Sequence, residues 1–269
     1  MKTKMILILL FAFVQFAGFT QTTKPVVTYY DYYKTKIHEK ANVLASNPTI
    51  FHGSYKEYGQ NTVVMEEGVY NNGKKIGIWH YRNESDGLEY KTETYNNKGE
   101  LHGEVIERNG KSKNVKHFKN GNADGSQKAW NEAGILVKDY TFVNGVKQGK
   151  QSEYDGETGK PIIEAYFDSL GKKKGTWKYY EDGFLWKEKN FDKDGMSIIY
   201  DKSGAKSMGV LDGYDYKFDQ WSEYNAAGVL IRQGEYNNSK KMKEWKIFDD
   251  SGVLIKTEVY DYGQLISTK

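Results

Sequence analysis

The chain has 269 residues, a formal net charge of +3, no cysteine and an apolar content of only 38%. The near-neutral balance excludes the basic excess that phosphate-backbone binding requires. The missing cysteines exclude disulfides, thiol catalysis, thiolate metal sites and a lipid-modified cysteine. The composition is still that of a folded chain. With 22 Tyr, 12 Phe and 6 Trp set against 28 Gly and 3 Pro, it favours strands punctuated by turns.

Lys2 and Lys4 precede an apolar run over residues 5–19, interrupted only by Gln15 and small residues, and a polar stretch follows from Thr20. A basic start, a short apolar core and small residues before the polar flank read as a secretory signal peptide over residues 1–20. The run is shorter than the roughly 20 apolar residues a membrane-spanning helix needs. An uncleaved anchor is the alternative. Without these residues, which carry two Lys and no acid, the formal charge falls to +1. The expected location is exported: periplasm, cell surface or medium.

Residues 21–52 are less regular. Tyr29-Tyr30-Asp31-Tyr32-Tyr33 and Lys36-Ile37-His38-Glu39 read as strands of a capping hairpin, with a short helix over 35–44 as the alternative.

From residue 53 to 269 the chain repeats. Gly53, Gly77, Gly103, Gly125, Gly149 and Gly175 open copies separated by 24, 26, 22, 24 and 26 residues, and Trp221 and Trp245 mark two later copies 24 apart. Within a copy a Leu is followed six residues later by an aromatic: Leu136 and Phe142, Leu185 and Phe191, Leu230 and Tyr236, Leu254 and Tyr260. An even spacing of six puts both side chains on one face of a strand and fits a helix poorly. Asn-Gly at 72–73, 120–121 and 144–145 and Asp-Gly at 86–87 and 182–183 supply hairpin turns. The predicted fold is all-β: an elongated antiparallel meander, or solenoid, of about eight tandem hairpin repeats of ~24 residues.

Gly73-Lys-Lys-Ile-Gly77-Ile-Trp79-His-Tyr81, Phe142-Val-Asn-Gly145-Val-Lys-Gln-Gly149 and Gly171-Lys-Lys-Lys-Gly175-Thr-Trp177-Lys-Tyr179-Tyr180 resemble the MORN-variant repeat family, which includes YwqK-type antitoxin proteins. The resemblance covers about residues 53–269. It implies a scaffold that binds a partner, and its label implies toxin neutralisation. Two copies depart from the pattern: the one around 195–218 lacks the opening Gly-x-Trp, and the one over 103–121 has no Trp.

No residue stands out for chemistry, so no catalytic, cofactor-binding or metal-ligating residue is assigned. The five histidines, His38, His52, His80, His102 and His117, suggest a metal site at first sight, but His52 and His102 share one slot before the opening Gly. Asp192, Asp194, Asp212 and Asp215 are loosely calcium-like without the ordered ligands of a calcium loop. No nucleophile triad, phosphate loop or zinc-helix motif appears.

The remaining candidates are aromatic and basic. Trp79, Trp130, Trp177, Trp221 and Trp245 are expected to form a thin core between hairpins, while the surplus of Tyr suggests a binding surface. Lys74-Lys75, Lys172-Lys173-Lys174 and Lys240-Lys241 are expected to line one edge. Together these features point to an exported, non-enzymatic protein that binds a protein or polysaccharide through a Tyr- and Lys-rich sheet. The alternative is an envelope-associated structural protein that holds lipid headgroups along the Lys edge.

Overall fold

A computed structural model describes residues 21–269. The expected signal segment over residues 1–20 lies outside the described residues. The described residues form 22 strands and no helix. A first hairpin joins β1 (Thr23–Tyr29) and β2 (Ile37–Leu44), so residues 37–44 are strand where a helix was the alternative. Nine further hairpins follow. The first four pair β3 (Phe51–Tyr58) with β4 (Val64–Asn71), β5 (Lys74–Arg82) with β6 (Glu89–Tyr95), β7 (Leu101–Asn109) with β8 (Ser112–Lys119), and β9 (Asn122–Trp130) with β10 (Leu136–Val143). The two-residue β11 (Val146–Lys147) turns the chain into β12 (Gly149–Tyr154), which pairs with β13 (Pro161–Phe167). Then come β14 (Thr176–Glu181) with β15 (Phe184–Asn190), β16 (Met196–Tyr200) with β17 (Lys206–Leu211), β18 (Lys217–Tyr224) with β19 (Leu230–Asn237), and β20 (Lys240–Phe248) with β21 (Leu254–Asp261). A last strand, β22 (Gln264–Thr268), pairs with β21.

Every strand but the short β11 hydrogen-bonds antiparallel to its predecessor and successor, which makes one open sheet. At ~4.8 Å per strand its contour across the strands is roughly 100 Å. The turns alternate between two edges. Those of β1–β2, β5–β6, β7–β8 and β20–β21 fall on one edge, and those of β4–β5, β17–β18 and β21–β22 on the other.

The repeat rests on a backbone rule that recurs in all nine hairpins. Gly53, Gly77, Gly103, Gly125, Gly149, Gly175, Gly195, Asp219 and Lys243 all have positive φ. Two residues further on, each first strand places one side chain inward: Tyr55, Trp79, Val105, Gln127, Gln151, Trp177, Ser197, Trp221 and Trp245. We call this the slot. The copy at 195–218, which lacks Gly-x-Trp in sequence, keeps the geometry, with Gly195 at φ 80° and Ser197 fully buried. Trp130 does not occupy a slot, contrary to expectation. It sits at the end of β9, half-buried, and Gln127 holds the position.

Slot size is matched by its neighbour on the preceding strand. A Cβ placed on Gly68, Gly209 or Gly234 would come within 2.4, 2.5 and 2.4 Å of the rings of Trp79, Trp221 and Trp245. Those three indoles are fully buried although the sheet is a single layer. Where the slot is small the neighbour is long: Ser197 faces Lys189, and Val105 faces Glu93. Each core Trp also donates its indole N–H to the carbonyl one residue beyond the small neighbour. Trp79 bonds Val69 at 3.3 Å, Trp177 bonds Tyr166 at 3.0 Å, Trp221 bonds Val210 at 3.1 Å and Trp245 bonds Glu235 at 3.1 Å. Register shifts between Glu67 and Val69, Gly209 and Val210, and Gln233 and Glu235 place these carbonyls at β-bulges, which the indoles help to satisfy.

Candidate binding surface

The slot face carries lysines as well as aromatics. Lysines lie over the core indoles. The Nζ of Lys75 is 4.2 Å from the Trp79 ring centre, Lys173 is 4.8 Å from Trp177, Lys217 is 4.5 Å from Trp221 and Lys241 is 4.5 Å from Trp245. A cation over an indole face is attracted by the ring quadrupole while its stem covers apolar area. Lys75, Lys173 and Lys241 therefore leave the edge they were expected to line and roof the core instead. Burial pulls the ammonium pKa of Lys217 and Lys241 down from the ordinary value.

Tyrosines of the repeat are likewise mostly inside. Tyr55, Tyr70 and Trp79 form a cluster with ring centres 4.7–5.7 Å apart. Tyr81 and Tyr95 donate their hydroxyls to Oε2 of Glu93 at 2.6 and 2.7 Å, and Lys91 pairs with its Oε1 at 2.5 Å. Burial pushes the Glu93 carboxyl up, but these donors outweigh it and hold its pKa below the usual carboxylate value. Glu93 is thus an ionised, saturated acid, a poor general base or acid.

Exposed tyrosine is concentrated in the turns. Tyr32 and Tyr33 project from β1–β2 with 93% and 84% of their surface exposed, Tyr214 from β17–β18 with 87%, and Tyr262 from β21–β22 with 63%. Both larger turns are rigidly tied. In the first, the Asp31 carboxylate accepts the backbone N–H of Thr35 and Lys36, and the Tyr30 hydroxyl reaches the Tyr58 carbonyl at 2.8 Å. In the second, Asp212 Oδ1 accepts from the N–H of Tyr214 and Tyr216, and Asp215 reaches back to two lysines of β15, Lys187 at 2.6 Å and Lys189 at 2.8 Å. These ammonium groups are almost wholly buried, and Lys189 also donates to the Asp212 carbonyl at 2.7 Å. Burial raises the Asp215 carboxyl, and the two lysines more than reverse it, leaving its pKa below the ordinary value.

Most of the residues considered for metal or calcium binding are engaged elsewhere. His52 and His102 accept the backbone N–H of Asn72 and Asn120 at 3.2 and 3.4 Å, and Asp124, in the same slot of the next copy, does the same for Asn144 at 3.0 Å. His80 pairs with Glu89 at 2.6 Å and His117 lies 3.8 Å from Glu104. Among the described residues no three His, Asp or Glu side chains gather as a metal site. Asp194 sits in a turn with positive φ.

No family model matches the chain, and no curated protein matches it. Among solved structures, the crystal structure of the eukaryotic initiation factor aligns over 94% of this chain and 91% of that one, with 9% identity and a TM-score of 0.22. The crystal structure of TcdB2-TccC3 aligns over 90% of this chain and 17% of that one, with 12% identity and a TM-score of 0.23. The chain thus spans under a fifth of the latter.

Proposed function

We propose that this is an exported, non-enzymatic repeat protein of the MORN-variant type that binds a protein or polysaccharide partner through its extended sheet, with toxin neutralisation as the sharper form of that role. The observation that carries the reading is the pair of pinned tyrosine turns. Side chains that an enzyme would keep poised are saturated by neighbours, as Glu93 and Asp215 are. The large aromatic groups presented to solvent stand on turns anchored by buried or backbone contacts. Rigid, exposed Tyr supplies contact area at low entropic cost, which suits a recognition surface. The MORN-variant resemblance and the apolar segment at residues 1–20 support the family and the export parts of this reading.

The test is affinity capture from envelope and surface fractions of the source cell. One arm uses the intact chain, and the other a variant carrying Tyr32→Ala, Tyr33→Ala, Tyr214→Ala and Tyr216→Ala. A partner retained by the first and lost by the second is the expected outcome. Equal retention by both would overturn the assignment of these turns.

A further inference from the structure

A cleft of about 470 Å³ opens between the β5–β6 and β7–β8 turns, on the edge opposite Tyr214. Its volume is in the usual range for a small-molecule site. Its chemistry differs from that of several turns of that edge, where an Asn or Asp at the end of the first strand caps its own turn. Asn131 Oδ1 accepts the N–H of Ala133 and Ile135, Asn225 Oδ1 that of Val229, and Asp249 Oδ1 that of Ser251 and Val253. Asn83 holds the same place, its N–H bonded across the turn to Leu88. Here, however, the cap comes from Asp86, whose Oδ1 accepts the Leu88 N–H at 2.9 Å. The Asn83 side-chain amide is therefore released from the role its counterparts perform, and it lines the cleft instead. Across the opening, Asn109 takes the Ser112 hydroxyl on its backbone carbonyl at 2.7 Å while its side chain makes no hydrogen bond, so its amide is available as well.

Between these two amides lie an apolar floor and an ion pair. Leu88 and Tyr90 line the cleft and are 66% and 40% exposed, so their apolar surface is open to whatever enters it. Glu89 is held by His80 at 2.6 Å and faces Arg108 at 3.4 Å, which leaves most of the guanidinium donors available. Each released amide offers two donors and an acceptor. A tyrosine ring and a leucine beside such groups match a pyranose, whose C–H face seeks an apolar platform and whose vicinal hydroxyls each both donate and accept. Asp86 and Glu89 against Arg108 leave the lining net negative, which disfavours uronic or sulfated sugars.

We infer that this cleft is a binding site for a neutral saccharide unit. The inference deepens the proposed binding role and rests on it. It assigns one ligand class to one place, separate from the tyrosine turns.

The experiment is titration calorimetry of the full chain with neutral tetrasaccharides of glucose, galactose, mannose and N-acetylglucosamine, and with trigalacturonate as the acidic probe. At least one neutral sugar is expected to bind. Asn83→Ala and Tyr90→Ala should each weaken that binding by roughly tenfold, about what one or two lost neutral contacts produce. Ile266→Ala, an exposed position on the last strand away from the cleft and the tyrosine turns, should leave it unchanged, and trigalacturonate should bind at least tenfold more weakly. Matching circular-dichroism spectra keep a folding defect apart from a lost contact, and Asn109→Ala provides a second surface substitution. The inference is overturned if none of the neutral sugars binds, if the cleft variants bind like the parent, or if the acidic probe binds best. Partner capture that depends on the tyrosine turns, without any sugar binding, would sink this inference alone. Sugar binding with capture unaffected by those turns would sink the turn reading alone.

Discussion

The slots of β5, β18 and β20 and the slot of β16 solve the same packing problem in opposite ways. In the first, an indole fills the slot and glycine yields the space, as with Trp221 against Gly209. In the second, Ser197 fills the slot, its hydroxyl donates to the Gly195 carbonyl at 2.8 Å, and the space is taken by Lys189, whose charge is met by Asp215 from a turn 26 residues away. The positive φ two positions before the slot is common to both, at Asp219 and at Gly195. The backbone therefore fixes the repeat, and the slot accepts apolar or ionic filling provided that volume and hydrogen bonds close.

The comparison breaks most visibly on the apolar side. Trp221→Ala and Trp177→Ala should each cost about 3–5 kcal/mol, the usual cost of emptying a buried large-aromatic site, read from denaturant midpoints. Gly209→Ala should come next, at about 1–3 kcal/mol, because its Cβ would overlap the Trp221 ring. A wild-type melting curve for Trp177→Ala would remove the indoles from the core and return them to the list of surface residues.

On the ionic side, Asp215→Asn should cost about 1–3 kcal/mol by leaving Lys187 and Lys189 without their shared carboxylate, toward the low end because the Asp215 side chain is half exposed. The same pair makes stability depend on pH. The folded pKa of Asp215 lies below its ordinary value of 3.8, so its contribution is present in full above that pH and disappears as pH falls through the folded value. Comparing acid unfolding of the parent with Asp215→Asn should show the two curves converging below about pH 4, the ordinary range for this group. Coincident curves at every pH would mean that the pairing of Asp215 with Lys187 and Lys189 carries no folding energy. The smallest effect is expected at Trp130→Ala. Trp130 is a half-buried strand end outside the slot, so the cost should be about 1 kcal/mol. A loss equal to that of Trp177→Ala would restore it to the core.

The hairpin period was legible because glycine marks the left-handed residue in seven of the nine copies and Asn-Gly marks many turns. Asp219 and Lys243 adopt the same conformation without glycine, so the last two copies were found by their tryptophans rather than their openings. Trp130 misled because an aromatic three residues past the slot has the same composition signal as one within it. The lysines over the indoles depend on cross-strand distances that composition does not carry. Lys187 and Asp215 are 28 residues apart, and nothing local in either segment announces the pairing. One signal would have found the buried polar groups: the residue facing a slot that is not Trp, which is Glu93 for Val105 and Lys189 for Ser197.

The central claim is that slot and neighbour are chosen as a pair. A double-mutant cycle on Gly209→Ala and Trp221→Ala, measured by denaturant unfolding, tests it directly. The added methyl should be harmful only while the indole is present, so the double variant should be more stable than the sum of the single losses predicts, by about 1–3 kcal/mol. Strict additivity, with Gly209→Ala equally costly in the absence of Trp221, would contradict the pairing.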